Sequence, residues 1–365
     1  MAEAPATAAR RPPAPRANPE LVGHERAEAL LLDAYHSGRL PHAWLVTGPP
    51  GIGKATLAFR FARFLLAGGS RDPPDGTAAS LALPSDHPVF RRVASGGHAD
   101  LVTLERGVVD PETGRLKGDI VVDDVRAMGA FLGLTPAEGG WRVVVIDSAD
   151  DMNRHAANAA LKVLEEAPER SLILLVSHAP TGLLATVRSR CRRLNLRPVS
   201  DELVAKLMER YRPDLEAEEV EALARLAEGS PGRALRLAEE GGLALYRELV
   251  DLLSGLPDLD VAAMHELADR LGRADAEAAY RTTMDLLRGW LQRLIRYAAV
   301  GEGPRELVEG EGALTCRLLA RPGLDRWWQV WDKIGRLAAR ADSVNLDRGQ
   351  VVINAFTALA RMARS

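Results

Sequence analysis

The feature that most constrains this chain is the stretch Gly48-Pro49-Pro50-Gly51-Ile52-Gly53-Lys54-Ala55-Thr56, set between an apolar run (His42–Thr47) and an amphipathic one (Lys54–Leu66). A glycine-rich loop that follows a buried strand and opens a helix can turn backbone N–H groups inward onto phosphate oxygens, and the helix N-terminus adds its positive end. A lysine at the first helical position then reaches the outer phosphates. Strand, loop and helix in that order predict a nucleotide-phosphate site on an α/β domain. Its candidate residues are Gly48, Gly51, Gly53 and Lys54, with Thr56 in the first helical turn.

One position departs from the pattern. The residue after the lysine is ordinarily Ser or Thr, whose hydroxyl ligates Mg²⁺. Here it is Ala55, whose methyl cannot. Thr56 is no replacement, because one helical step rotates a side chain by about 100°. ATP or ADP therefore remains compatible with the loop, with little dependence on Mg²⁺.

Further short apolar runs predict strands at Leu101–Leu104, Arg142–Asp147, Leu172–Ser177 and Arg193–Leu196. Helical spacing predicts helices over Asp123–Leu132, Arg154–Glu166 and near Gly182–Arg188. The density of Val and Ile in Val143–Ile146 suits a strand buried on both faces of a parallel sheet. That strand ends at Asp147, the expected metal-binding carboxylate, but Ser148 follows where a glutamate usually orients the attacking water. Asp150 and Asp151 would have to fold back to reach the same water. Loss of a positioned base typically costs about 10²–10⁴ in rate, so efficient hydrolysis by this chain is not expected.

After Pro198 the strand signal stops and apolar residues recur at helical spacing, from Leu203, Leu207 and Tyr211 to long stretches ending near Ala363. The expected organisation is a disordered tail over 1–18, an α/β phosphate-loop domain over 19–198, a small helical lid over 199–242 and an all-α domain over 243–365. Trp290, Trp327, Trp328 and Trp331 read as helical core rather than as a recognition surface.

Composition narrows the function classes. The net charge of −3 excludes a chain that is basic throughout, so any nucleic-acid contact is a local patch or belongs to a larger assembly. No apolar run approaches the roughly 20 residues of a membrane span, and the N-terminal Ala-, Pro- and Arg-rich stretch has no apolar segment of the secretory kind. Cys191 and Cys316 cannot build a disulfide framework, which fits a reducing, cytoplasmic setting.

One stretch points to a family. Trp141–Arg197, WRVVVIDSADDMNRHAANAALKVLEEAPERSLILLVSHAPTGLLATVRSRCRRLNLR, closely resembles the delta-prime and gamma/tau subunits of the bacterial DNA polymerase III clamp loader, an AAA+ family. Leu21-Val22-Gly23-His24 and Arg39-Leu40-Pro41-His42-Ala43 look like the same family, over roughly residues 19 to 235. The resemblance implies an AAA+ domain, a lid and a helical collar that joins subunits into a heteropentameric ring. It implies gamma/tau and delta subunits as partners, with the sliding clamp and primed DNA reached through the complex. At that level the activity is a nucleotidyltransferase holoenzyme; whether this chain is itself an enzyme stays open.

Residue by residue, the resemblance makes Arg190 of Ser189-Arg190-Cys191 an arginine finger, acting in trans on ATP held by a neighbour. On the residues alone, the run Arg188, Arg190, Arg192, Arg193 also reads as surface charge. Ser177 matches a polar sensor position and equally suits a strand-end cap. Gly229-Ser230-Pro231-Gly232 is similar to the delta-prime form of a second sensor motif, with Arg233 displaced by one. Members commonly carry a four-cysteine zinc module. Here Gly68–His98 has no cysteine and only His87 and His98, so no zinc is expected and a loop of Pro, Gly and small residues is predicted instead. The favoured reading is a delta-prime-type organiser of the ring. A gamma/tau-like motor ATPase and an AAA+ interaction protein outside replication are the alternatives.

Overall fold

The computed structural model describes residues 9–69, 80–107, 118–301, 306–320, 323–344 and 346–364. It divides into two compact units, residues 1–214 with 228–233, and residues 215–227 with 234–365.

The first unit holds the parallel sheet: β1 (Ala43–Thr47), β2 (Leu101–Leu104), β3 (Arg142–Asp147), β4 (Ser171–Ser177) and β5 (Arg192–Asn195). The strands lie in the order β2-β3-β4-β1-β5, all parallel. Helices α1 (Glu25–His36), α2 (Lys54–Leu66) and α3 (Pro88–Ala94) cover one face, and α4 (Val122–Leu132), α5 (Arg154–Glu165) and α6 (Ala185–Arg190) the other. Alternation decides the faces: Val143 and Val145 enter the first cluster, Val144 and Ile146 the second. Helix α7 (Asp201–Tyr211) completes this unit.

Two expectations need correction. The stretch 68–98 is not all loop, for α3 lies within it. The His87 ring accepts a hydrogen bond from the Val89 N–H, Pro88 opens the helix, and Val89, Phe90 and Val93 are buried. The tail is the second. Residues 1–8 lie outside the described residues, but Pro15–Ala17 form a 3₁₀ turn, and the buried Arg63 guanidinium donates to the Arg16 and Asn18 carbonyls (2.8 and 2.7 Å). A charge removed from water needs such acceptors. Burial, aided by Arg60, pulls the Arg63 pKa down to about 10.

The second unit is helical. It comprises α8 (Ala217–Leu226), most of α9 (Pro231–Glu239), α10 (Gly242–Ser254), α11 (Val261–Gly272), α12 (Glu277–Val300), α13 (Glu311–Leu319), α14 (Leu324–Val344) and α15 (Arg348–Arg364). Trp290 and Trp327 are buried as expected, but Trp328 is 55% exposed. A buried polar group ties α10, α12 and α13 together: the Tyr246 hydroxyl and Arg293 both donate to Glu311. Among the described residues no helix is long and apolar enough to cross a membrane.

Candidate nucleotide-binding site

The loop 48–53 joins the carboxyl end of β1 to α2. Its carbonyls are pinned one by one. Lys54 Nζ donates to Gly48 O and Pro49 O, each at 2.6 Å. The Ser230 hydroxyl donates to Pro50 O (2.7 Å), the Gly232 N–H to Gly51 O (2.9 Å), and His24 Nε2 to Ile52 O (2.6 Å). A carbonyl can only accept, so His24 carries its proton on Nε2. The C=O and N–H of one peptide bond point in opposite directions. Pro49 and Pro50 carry no N–H, so it is the fixing of the Pro50, Gly51 and Ile52 carbonyls that turns amides, those of Gly51, Ile52 and Gly53, the other way, toward the cradle.

Close approach requires glycine at the loop tip. Gly51 has φ +75°, and a Cβ there would lie 2.6 Å from Ser230 Oγ; one on Gly232 would lie 2.9 Å from the Gly51 Cα. The 229–232 turn thus seats directly on the loop. The sequence alone offers that segment as a sensor-like motif and Leu21–His24 as a family mark. The hydrogen bonds that Ser230 and His24 make to the loop appear only in the folded chain.

Lys54 is buried. Desolvation brings its pKa down to about 8, against the opposing pull of Asp147 and Asp150. Ala55 packs its methyl against the apolar cluster on the α2 face, and Thr56, one step on, is buried. At the end of β3 burial raises the Asp147 pKa; Glu105 adds to this and Lys54 opposes it.

Asp150 does fold back, but into a full set of partners. Its Oδ1 accepts from the Ser177 hydroxyl (2.8 Å) and the Ala179 N–H (3.2 Å). Its Oδ2 accepts from the Ser148 hydroxyl (2.8 Å) and the His178 N–H (2.5 Å). Burial alone would raise its pKa, yet the bonds from His178, Ser177, Ser148 and Ala179 outweigh that and hold it below the usual range. A carboxylate so stabilised is a weak base. It staples the end of β3 to the end of β4, with both Ser148 and Ser177 hydroxyls committed to it.

Arg190 lies elsewhere. It is the last residue of α6, at the amino end of β5, whereas the loop leaves the carboxyl end of β1. The register pairs Trp44 with Arg192 and Thr47 with Asn195. At about 3.3 Å per residue, parallel pairing therefore sets the two sites roughly 10 Å or more apart along the strands, at opposite poles of the sheet. Its guanidinium, 36% exposed, meets Glu165 Oε1 through Nε (2.7 Å) and the Thr186 carbonyl through Nη1 (3.0 Å). Neighbouring Cys191 is buried, which pushes its thiol pKa up to about 11 and leaves it no nucleophile at neutral pH. Of the two histidines in 68–98, His87 caps α3 and His98 Nδ1 accepts from the Asp100 N–H (3.2 Å).

Residues 23–200 match the family described as DNA polymerase III, delta subunit. Over these residues the chain is similar to clamp-loader subunits of the AAA+ kind. The DNA polymerase III subunit delta' of Pseudomonas aeruginosa is 34% identical over 222 residues, 61% of this chain and 63% of that protein. The subunit delta' of Escherichia coli is 33% identical over 207 residues, 57% of each chain. The subunit tau of Escherichia coli is 30% identical over 320 residues, 83% of this chain and 47% of that protein. The chain thus spans less than two thirds of these relatives.

Proposed function

We propose that this chain is the delta-prime-type subunit of a DNA polymerase III clamp loader: it organises the ring and supplies Arg190 in trans to ATP bound by a neighbouring subunit. The observation that carries the reading is the position of Arg190. A guanidinium at the sheet pole opposite its own phosphate loop cannot serve that loop, so a role on phosphate has to be played on another polypeptide. Arginine suits it, because the planar fork bridges phosphate oxygens and stays charged.

The chain's own loop has a different use in this reading. Gly48, Gly51, Gly53 and Lys54 keep the geometry of a phosphate cradle, with Thr56 behind it. With Ala55 for the metal ligand, Ser148 for the base and Ser177 committed to Asp150, Asp147 is left without the machinery of hydrolysis. ATP or ADP bound there would be a structural ligand with little need of Mg²⁺. The partners are the gamma/tau and delta subunits, and through them the sliding clamp and primed DNA, in the cytoplasm.

A gamma/tau-like motor is the second reading, favoured by the length of the similarity to tau. Mixing the purified chain with delta and tau subunits separates the two. A ring subunit without hydrolysis of its own co-elutes with them and raises DNA-dependent ATP hydrolysis above the value without it. A motor hydrolyses ATP alone, and a chain outside replication does not co-elute.

A further inference from the structure

We infer that the groove between α14 and α15 is a docking site for an acidic protein segment that carries apolar side chains. The groove has a volume of about 470 Å³. Its rim is cationic: Arg326 and Lys333 from α14 and Arg361 from α15, all exposed. Among the described residues no carboxylate pairs with any of the three, and no acidic residue lines the groove. Asp332, on the same helix, is already paired with Arg336 (2.7 Å).

The floor is apolar. Val330, Ala358 and Met362 are 9%, 8% and 7% exposed, so they form the bottom of a slot rather than an open face. Helix geometry explains the juxtaposition. Residues 326, 330 and 333 on α14, and 358, 361 and 362 on α15, fall on single stripes at i, i+3, i+4 and i+7 spacing. Helix α14 thus presents two cations with Val330 between them, and α15 presents Arg361 beside Ala358 and Met362.

Three cations that pair with no carboxylate among the described residues, set around an apolar floor, match a ligand with carboxylates and apolar side chains in alternation. Carboxylates satisfy the rim, and an apolar side chain fills the slot, where methionine adapts to shape. A nucleic acid fits less well. The α14 cations span seven residues, only about 10 Å of helix, and none of the lining residues is an aromatic on which a base could stack. The net charge of −3 makes this local cationic rim stand out further from the rest of the surface.

The test uses the full chain and fluorescence polarisation with three labelled probes: a short peptide of alternating Asp and Leu, the same peptide with Ser for Asp, and oligothymidylate. The Asp–Leu peptide should bind, and the charge-reversed Lys333→Glu/Arg361→Glu variant should bind it at least about ten-fold more weakly. The Ser–Leu peptide should bind no better to the wild type than the Asp–Leu peptide does to that variant. Both substituted side chains are exposed, so circular dichroism should show an unchanged fold. Equal binding of the Asp–Leu peptide by wild type and variant, or none by either, would overturn the inference. Oligothymidylate binding that is tighter than that of the peptide and lost in the variant would make the groove a nucleic-acid surface and overturn it equally.

Discussion

At the carboxyl ends of β1, β3 and β4 the loop carbonyls and the Asp150 carboxylate are engaged by the chain's own atoms, whereas at the amino end of β5 Arg190 is held by one exposed carboxylate and the Thr186 carbonyl. The loop carbonyls are bonded to Lys54, Ser230, Gly232 and His24, and Asp150 accepts four hydrogen bonds. Glu165, the partner of Arg190, is itself exposed. Buried, fully bonded groups are costly to disturb, because each orphaned donor or acceptor loses about 1–3 kcal/mol. An exposed ion pair is worth about 0–1 kcal/mol and can change partner at little cost. One pole is built to keep its arrangement; the other is free to make a new one.

Hydrolysis tests the first half of that contrast with the largest expected effect. The purified chain should turn over ATP no faster than its Lys54→Ala variant, in line with the roughly 10²–10⁴ lost with a positioned base. Steady turnover that Lys54→Ala abolishes would return the closed pole to catalysis.

Stability measurements sharpen the same side. Asp150→Ala should cost about 1–3 kcal/mol in urea denaturation, since the Ser148 and Ser177 hydroxyls and two backbone N–H groups lose their acceptor. The folded pKa of Asp150 is depressed, so its contribution is present in full above the unfolded value of 3.8 and is lost as pH falls through the folded value. The difference between wild type and variant should therefore shrink on acidification below that value. A difference that grows there would contradict the assignment.

A similar loss of about 1–3 kcal/mol is expected for Gly232→Ala, whose new methyl meets Gly51 backbone. Ser230→Ala should cost about 1 kcal/mol through the orphaned Pro50 carbonyl. Either variant at wild-type stability would show that the turn does not clamp the loop. The smallest effect belongs to the open pole, where Glu165→Gln should change stability by less than about 1 kcal/mol.

Much of this was legible in the sequence. The sequence pattern located the described strands to within a residue or so; for β3 and β4 the reason is that a strand buried on both faces needs an unbroken apolar run, and Val143–Ile146 and Leu172–Val176 supply it. The missing hydroxyl and carboxylate at Ala55 and Ser148 are matters of residue type and were equally plain. Helix α3 was hidden, since Pro and Gly on either side mask a seven-residue helix whose cap is a histidine. Helix α13 likewise escaped a reading based on long periodic runs. The clamps on the loop were illegible for a different reason. Ser230 and Pro50 lie 180 positions apart, and no local pattern reports which hydroxyl will find which carbonyl. The same holds for Glu165, which sits in a run of helical charge until the fold brings Arg190 to it.

The central claim is that Arg190 works on nucleotide held by another chain. It is tested most directly by clamp- and DNA-stimulated ATP hydrolysis of a loader reconstituted with Arg190→Ala, with Arg192→Ala as the neighbouring-charge control. Removing a finger typically costs about 10³–10⁵ at the site it serves, so one neighbouring site should fall silent. Total hydrolysis should drop by that site's share, and the ring should still assemble. The Arg192 variant should behave as wild type. Undiminished hydrolysis with Arg190→Ala, or an equal defect in both variants, would contradict the assignment.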